Sequence, residues 1–341
     1  MPRQFKAAAV QAAPAFLDLH GSVEKTIGLI DQAGAQGVRL VAFPETWIPG
    51  YPWHIWLGAP AWGMQFVGRY FQNSIAADSA EEDAIREAVA RNGLTCVLGV
   101  SERSGGSLFM GQWIYGPDGE VIARRRKLKP THVERTVFGE GDGSDIAVHE
   151  TDVGRLGALC CWEHLQPLTK YAMYAQDEEV HVAAWPSFSL YEGAAYALGP
   201  EVNTAASVMY AAEGQCFVLA ACGVVSDAMV EELCDSEDKR IFLKRGGGHA
   251  GIFGPDGSPQ AEQLAPDAEG LLVADIDLDM IAYAKSAADP VGHYSRPDVF
   301  RLMVNHARNP VTMNFREGRQ LRDAGPVDEQ EDLPDFVDAA Q

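Results

Sequence analysis

Short apolar runs, each followed by a segment with helical periodicity, recur along most of this chain. Residues 5–12 predict a strand, residues 21–36 an amphipathic helix and residues 37–43 a second buried strand. The same alternation is repeated further on, with a predicted helix over residues 80–92 and a predicted strand over residues 95–101. Strands this short and apolar need helices to cover them, so the pattern predicts an α/β fold.

The second half of the chain continues the alternation without a linker that would divide it. Its predicted strands span residues 155–160, 180–185 and 216–221, and its predicted helices span residues 166–176 and 201–213. We therefore expect one domain over residues 1–310.

Two segments with the same turn sequence predict β-hairpins. They are "WIYGPDGEVIARRRK" around Gly116 and "GIFGPDGSPQAEQL" around Gly254. Proline at the second position and glycine at the last suit a tight reversal of the chain. Two hairpins in corresponding positions suggest two related halves, although this tetrapeptide is a common connector.

Charge excludes some classes of partner. The 341 residues carry a formal net charge of -21, which disfavours nucleic acid and anionic membranes as partners. Seven acidic residues and one arginine lie in residues 322–341, and we expect residues 311–341 to form a flexible acidic tail. Hydrophobic residues at 47% and charged residues at 22% are typical of a soluble globular protein.

The start of the sequence has the weak shape of a signal peptide, with basic residues before an apolar patch, but we expect a first strand there. The sequence contains no apolar run of about 18 residues, and the apolar patch near the start is interrupted by Gln11 and Pro14, so we expect a cytoplasmic protein. Six cysteines are too few for a disulfide scaffold, and reduced thiols are expected. No Cys-x-x-Cys pair occurs, and we predict neither a metal nor a cofactor.

Reactive residues follow three of the predicted strands: Glu45, then Lys127 with Glu134, then Cys161. Ligands and catalytic groups gather at strand ends in α/β sheets, so the coincidence points to a site. Each residue alone has a simpler explanation. Glu45 could be a surface acid or helix cap, Lys127 part of a solvated edge strand, and Glu134 an acid paired with its neighbour Arg135.

Cys161 could be a buried structural thiol, which is the commonest role of a free cysteine. As a nucleophile it would need a nearby cation and a base, which Lys127 and Glu45 could supply. His164, three residues later, leaves open a different type of cysteine hydrolase.

The segments "FPETWIPGYP", "RKLKPTHVER" and "CWEH" resemble the Glu-Lys-Cys triad of the carbon-nitrogen hydrolases, the nitrilase superfamily. The resemblance runs from residue 5 to about residue 301. It implies a four-layer α-β-β-α sandwich, and it implies homodimers that assemble into spirals or filaments. It also implies that Glu45 is the base, Cys161 the nucleophile and Lys127 the charge-stabilising group, with Glu134 as supporting glutamate.

The segments "CCWEHLQPLTKYAMY", "EEVHVAAWPSFSLY" and "DPVGHYSRPDVF" are similar to true nitrilases, especially the arylacetonitrilase branch. A small organic nitrile is then the expected partner, hydrolysed to a carboxylic acid and ammonia. Cys160 would be a buried neighbour, and His293 is given no catalytic role. The expected pocket walls are aromatic or apolar residues beside the strand ends: Tyr51, Trp162, Trp185, Pro186, Phe188 and Tyr191.

Two alternatives stay open. One is an amidase or a nitrile or cyanide hydratase of the same superfamily. The other is a noncatalytic scaffold that assembles through its surface, which would require none of the Glu45, Lys127 and Cys161 set.

Overall fold

The computed structural model describes residues 3–310, 314–316 and 319–321. The described residues up to Ala307 form one compact unit, and the described residues from Arg308 onward form a second. Most of the predicted acidic tail, residues 311–341, lies outside the described residues, so its flexibility stays a prediction. Within the described part of the chain, no helix is both long and apolar enough to cross a membrane.

The described residues form nine α-helices and fifteen strands. The helices are α1 (Leu19–Ala35), α2 (His54–Leu57), α3 (Pro60–Asn73), α4 (Ala80–Asn92), α5 (Pro167–Tyr174), α6 (Pro200–Gly214), α7 (Asp227–Leu233), α8 (Glu237–Phe242) and α9 (Met280–Ala288). The strands are β1 (Gln4–Ala12), β2 (Val38–Ala42), β3 (Ile75–Ala76), β4 (Thr95–Ser104), β5 (Ser107–Tyr115), β6 (Val121–Arg126), β7 (Phe138–Gly139), β8 (His149–Thr151), β9 (Gly154–Cys160), β10 (Val180–Trp185), β11 (Phe217–Gly223), β12 (Gly251–Phe253), β13 (Gly270–Asp277), β14 (Asn314–Arg316) and β15 (Arg319–Leu321). Short 3₁₀ helices lie at His132–Thr136, Gly143–Asp145, Cys161–Leu165 and Tyr196–Leu198.

Strand β1 joins two sheets. Along its length it pairs with β2 in parallel and with β13 in antiparallel orientation. Only its tip pairs with β11, through Gln11 with Cys222 and Ala12 with Gly223. One sheet therefore runs β13-β1-β2-β4-β5-β6, and the other runs β12-β11-β10-β9-β8. In the second unit, β14 and β15 pair with each other.

Alternation along β1 explains how the layers stack. Ala7 and Ala9 face the core that the two sheets share, whereas Ala8 and Val10 face the core beneath α1 and α4. Helices α5 and α6 cover the second sheet, and Tyr210 of α6 is buried in the core against it. The layers are helix, sheet, sheet and helix, which is the four-layer α-β-β-α sandwich that the resemblance implies.

The structure corrects one expectation drawn from the sequence. The first GPDG segment connects β5 to β6 as predicted, but the second lacks its return strand. Between β12 and β13 the chain returns only as an isolated bridge between Phe253 and Pro259, flanked by hydrogen bonds from Gly254 N–H to the Ser258 carbonyl and from Gln260 N–H to the Ile252 carbonyl. The turn therefore forms, but the pairing stops after these two bonds.

Gly99 of β4 allows the segment that carries Glu45 to approach the sheet closely. A Cβ at this position would lie 1.8 Å from the Pro44 carbonyl oxygen and 3.2 Å from the Glu45 Cα. Both are backbone atoms that cannot rotate away. The absence of a side chain in β4 therefore sets where Glu45 lies.

We predict that Gly99→Ala destabilises the protein by about 1–3 kcal/mol, because the added methyl overpacks a buried contact. Urea unfolding at neutral pH measures this. The matched control is Gly68→Ala in α3, where a Cβ would meet nothing within 4 Å and the helix gains about 0.5–1 kcal/mol. Equal stability of the Gly99→Ala and wild-type proteins would contradict the close approach.

Candidate active site

The residues singled out in the sequence lie on segments that leave the two sheets. Glu45 follows β2, Lys127 follows β6, and Cys161 begins the 3₁₀ helix after β9. Glu134 lies on the 3₁₀ helix at 132–136. Relative exposure is only 2% for Glu45 and 1% for Lys127, so neither is the solvated surface residue that its local sequence allows.

Lys127 holds two carboxylates together in the interior. Its Nζ donates to Glu45 Oε1 at 3.0 Å and to Glu134 Oε2 at 2.8 Å. The other oxygen of Glu134 accepts from the Tyr51 hydroxyl at 2.7 Å, and that hydroxyl accepts from Trp56 Nε1 at 3.1 Å. Glu134 is thus paired with Lys127 and is not a surface acid.

Burial sets the protonation of this group. It raises the pKa of Glu45 to about 8; Lys127 opposes the rise and the Glu134 charge adds to it. Burial alone would lower the pKa of Lys127, but the two carboxylates outweigh it and hold the pKa well above its usual range. Lys127 is consequently a permanent buried cation.

The basic side chains of residues 124–127 point alternately to opposite sides of the strand. Arg125 and Lys127 are buried on one side, while Arg124 and Arg126 form ion pairs on the other. Lys129 is exposed. The sequence alone did not show which basic side chains point inward, because that depends on the register of the two-residue alternation and on where β6 ends.

Arg125 connects β6, the strand that precedes Lys127, to the 3₁₀ helix that begins at Cys161. Its guanidinium donates to Glu163 Oε1 at 2.8 Å, and Glu163 also accepts from the backbone N–H of Leu128 at 2.9 Å and of Cys160 at 2.7 Å. Arg125 and Glu163 are each 4% exposed, so this is a second buried ion pair. Sequence reasoning missed both residues; the basic run itself was the available signal.

Cys161 has a left-handed backbone, with φ of 47°. Such a conformation is costly for a residue with a side chain and is often found at functional sites. Burial and the Glu45 carboxylate raise the pKa of its thiol well above the usual range. Lys127 and the backbone N–H of Trp162 oppose that rise.

The Cys161 thiol borders a cavity of roughly 240 Å³. Of the six expected wall residues, Tyr51, Trp162, Pro186 and Phe188 line it. Trp185 and Tyr191 do not: Trp185 is 1% exposed and donates to Ser207, and Tyr191 donates to the Trp56 carbonyl. The other lining residues are Trp53, Trp56, Thr131, His132, Glu134, Ser187, Leu190, Leu198 and Asn203.

The missed walls come from loops and from short helical segments, where the sequence offers little periodicity. Trp53 and Trp56 belong to "YPWHIW", directly after the Glu45 segment, and this aromatic density was the available signal. Trp56 stacks on His132 at 5.3 Å between ring centroids, which gives the cavity an aromatic wall.

His164 does not face the Cys161 thiol. Its Nδ1 contacts the Cys161 carbonyl oxygen at 2.6 Å, and its Nε2 contacts His181 at 2.9 Å. Both ring nitrogens are therefore engaged elsewhere, which removes the basis for a cysteine-histidine pair. His293 is exposed. Within the described residues, no cluster of His, Cys, Asp or Glu could hold a metal ion.

Known proteins resemble this chain in both sequence and fold. The carbon-nitrogen hydrolase family matches residues 6–286. A nitrilase from Pseudomonas syringae pv. syringae (strain B728a) is 62% identical over 315 residues, which cover 92% of this chain and 94% of that protein. The chain belongs to the carbon-nitrogen hydrolase family. The predicted superfamily and the predicted class of enzyme are confirmed.

Further relatives of this carbon-nitrogen hydrolase differ in the substrates that their names give. An arylacetone-specific nitrilase from Alcaligenes faecalis is 53% identical over 90% of this chain and 86% of its own length. An aliphatic nitrilase from Rhodococcus rhodochrous is 48% identical over 97% of this chain and 94% of its own length. The solved carbon-nitrogen hydrolase of Helicobacter pylori G27 covers 87% of this chain and 97% of its own, with a TM-score of 0.69 at 19% identity, and so supports the fold.

We predict that Lys127→Met costs about 3–5 kcal/mol at neutral pH, because two buried carboxylates lose their cation. The loss grows as pH rises. Without Lys127 the pKa of Glu45, which burial already raises to about 8, rises further, so above about pH 8 the folded variant keeps a proton that the folded wild type has released. Urea unfolding at about pH 7 and at about pH 9.5 measures both effects.

The matched control is Lys129→Met, which removes an exposed lysine paired with Glu140. Exposed pairs contribute about 0–1 kcal/mol, so this variant is expected to stay close to the wild type. Similar losses in both variants would contradict a special role for the buried ammonium.

Proposed function

We propose that this protein is a nitrilase that hydrolyses an organic nitrile to the carboxylic acid and ammonia through covalent intermediates on Cys161. The observation that carries the proposal is the thiol of Cys161 at an apolar cavity, within the field of the buried Glu45, Lys127 and Glu134 group. A nitrile is neutral and weakly electrophilic. It suits an aromatic cavity, and it needs a strong nucleophile together with a cation for the charge that develops on nitrogen.

In the first half of the reaction, Glu45 accepts the proton of Cys161 as the sulfur bonds to the nitrile carbon. One π pair of the C≡N bond moves to nitrogen, where Lys127 and the Trp162 N–H stabilise the negative charge. Nitrogen then takes up the proton, which gives a thioimidate. Because the thiol has a raised pKa, proton transfer accompanies attack, and no thiolate is stored beforehand.

In the second half, Glu45 takes a proton from water as the oxygen bonds to the thioimidate carbon. The C–N bond of the tetrahedral adduct breaks, and nitrogen leaves as ammonia with the transferred protons. A second water attacks the acyl thioester in the same way. Its C–S bond breaks, the thiol regains a proton, and the acid leaves, so two waters are consumed for each nitrile.

The preferred substrates we propose are arylacetonitriles, with aliphatic nitriles as a second class. Trp56, Trp162 and Phe188 offer aromatic faces to a ring, and roughly 240 Å³ accommodates a small aromatic nitrile. The amide, the product of a hydratase-like course, would form if the C–S bond of the tetrahedral adduct broke first. The homodimer, its spirals or filaments and the cytoplasmic location stay predictions.

We predict that the purified protein releases equimolar acid and ammonia from phenylacetonitrile or mandelonitrile, and that Cys161→Ala lowers kcat at least about 10⁴-fold by removing the nucleophile. Chromatography and an ammonia assay measure the products, and an aliphatic dinitrile, cyanide and the matching amides complete the panel.

The matched control is Cys160→Ala, which removes the adjacent thiol that does not line the cavity. This variant should keep most of the activity. Turnover of amides alone would favour an amidase, amide as the sole product would favour a hydratase, and no turnover with unchanged oligomer size would favour the scaffold.

We also predict that kcat/KM rises with pH through the neutral region. Glu45 accepts a proton only as a carboxylate, and burial raises its pKa to about 8. Glu134→Gln removes a charge that contributes to this rise, so the acidic limb should move to lower pH. A pH profile of kcat/KM tests the shift, with exposed Glu140→Gln as control. An acidic limb at the pKa of an ordinary glutamate would contradict Glu45 as the base.

A further inference from the structure

A chain of buried polar side chains leads from the Cys161 carbonyl into the second sheet. The carbonyl oxygen contacts His164 Nδ1 at 2.6 Å, and His164 Nε2 contacts His181 Nε2 at 2.9 Å. His181 Nδ1 contacts Glu178 Oε1 at 2.6 Å, and the Tyr210 hydroxyl donates to Glu178 Oε2 at 2.6 Å. We call His164, His181 and Glu178 the relay; each is at most 2% exposed.

The surroundings of the relay are shaped to hold it. A Cβ at Gly157 of β9 would lie 1.8 Å from Glu178 Oε1, so the missing side chain makes room for the carboxyl group. The two imidazole rings stack on Trp185 and on Tyr210, with centroids 5.2 Å and 3.8 Å apart. Trp185, expected from the sequence to line the pocket, instead supports the relay.

Counting hydrogens fixes the direction of these bonds. A carbonyl oxygen only accepts, so His164 Nδ1 carries a hydrogen, and the neutral ring then accepts at Nε2. His181 Nε2 must donate to it. One further proton is needed between His181 Nδ1 and Glu178 Oε1, and a protonated Glu178 supplies it. Every contact from Tyr210 to Cys161 is then a hydrogen bond with one hydrogen.

Loss of the proton shared by Glu178 and His181 reverses the chain. When Glu178 is a carboxylate, the hydrogen of neutral His181 lies on Nδ1 and is donated to Glu178 Oε1, so His181 Nε2 accepts from His164 Nε2. The Nδ1 lone pair of His164 is left facing the Cys161 carbonyl oxygen at 2.6 Å, which is repulsive. The relay therefore holds the carbonyl in one protonation state and repels it in the other.

The orientation of that carbonyl matters because the C=O and N–H of a trans peptide point in opposite directions. The Cys161 carbonyl shares its peptide plane with the Trp162 N–H, which acts on the Cys161 sulfur. Because the backbone at Cys161 is in the unfavourable left-handed region, the orientation of this peptide plane must be stabilised by contacts from other residues. We propose that the relay is a positioning device that clamps the Cys161 carbonyl and thereby aims the Trp162 N–H at the charge that develops on the substrate. This inference rests on the proposed function.

The surrounding charges agree with a relay that is neutral at pH 7. Burial raises the pKa of Glu178 to about 8, against the Tyr210 hydrogen bond, and it lowers the pKa of His164 to about 3 and that of His181 well below its usual value. The other ionisable groups that act on the relay or on Tyr210 are Arg125, Glu163, Tyr174 and Cys216. Clamping is expected to weaken as pH rises through the pKa of Glu178.

The test compares Glu178→Gln with Glu178→Met. Glutamine donates to His181 through its amide and accepts from Tyr210 through its carbonyl, so it reproduces the protonated acid at every pH. We expect its kcat at pH 7 to stay within about threefold of the wild type, and the loss of kcat above about pH 8 to disappear. Methionine fills the space without donating, and we expect kcat to fall about tenfold or more with KM nearly unchanged, because the cavity walls are untouched.

Initial rates from pH 6 to 10 and thermal melting of each variant give the readouts, with Glu213→Gln as control. Glu213 lies on the same helix as Tyr210 and pairs with Lys170 outside the relay, so it should keep the wild-type alkaline limb. An unchanged alkaline limb in Glu178→Gln would overturn the proposal, and so would equal kcat in the Gln and Met variants. If Glu178→Met does not fold, the alkaline part of the pH profile of kcat in Glu178→Gln still tests the proposal. A wild-type protein that turns over no nitrile would instead refute the proposed function.

Discussion

The buried ammonium of Lys127 is the interaction on which the site depends. Removing charges from water is unfavourable unless each is paired, and here one cation compensates two carboxylates at 3.0 and 2.8 Å. Glu45 comes from the segment after β2, whereas Lys127 and Glu134 both come from the segment between β6 and β7. The fold can bury Glu45 and Glu134 only when the end of β6 brings Lys127 between them, so the pairing requirement itself selects how these loops are arranged.

Two adjacent cysteines illustrate how a small backbone change separates two environments. Cys160 ends β9 with an extended backbone and lies near Arg125, whose guanidinium contacts its sulfur at 3.8 Å. Cys161 turns into the left-handed region and borders the cavity. The reversal at a single residue takes the second thiol out of the alternation of the strand, so one sulfur stays in the interior while the next reaches the cavity.

Much of this arrangement could be predicted from the sequence. Apolar runs predicted β1, β2 and β4 of one sheet and β9, β10 and β11 of the other, but neither β8 nor β13. Of the strand-end residues, Glu45 and Lys127 lie together in the interior, and Cys161 borders the cavity. What could not be predicted depends on distant contacts. Only the register of β6 decides that Arg125 points inward with Lys127. Trp185 looked like a pocket wall because it ends β10, but packing against the helices directs its ring into the core.

One wall of the cavity has a consequence for what leaves it. Glu134 borders the space beside Cys161, and the protein as a whole carries a formal net charge of -21. In the proposed reaction a nitrile would enter as a neutral molecule, on which these charges exert little force. The carboxylic acid formed from it would ionise next to an apolar wall and a negative surface, which would disfavour its retention. The charges that leave such a substrate unaffected would thus promote departure of the product and limit its rebinding.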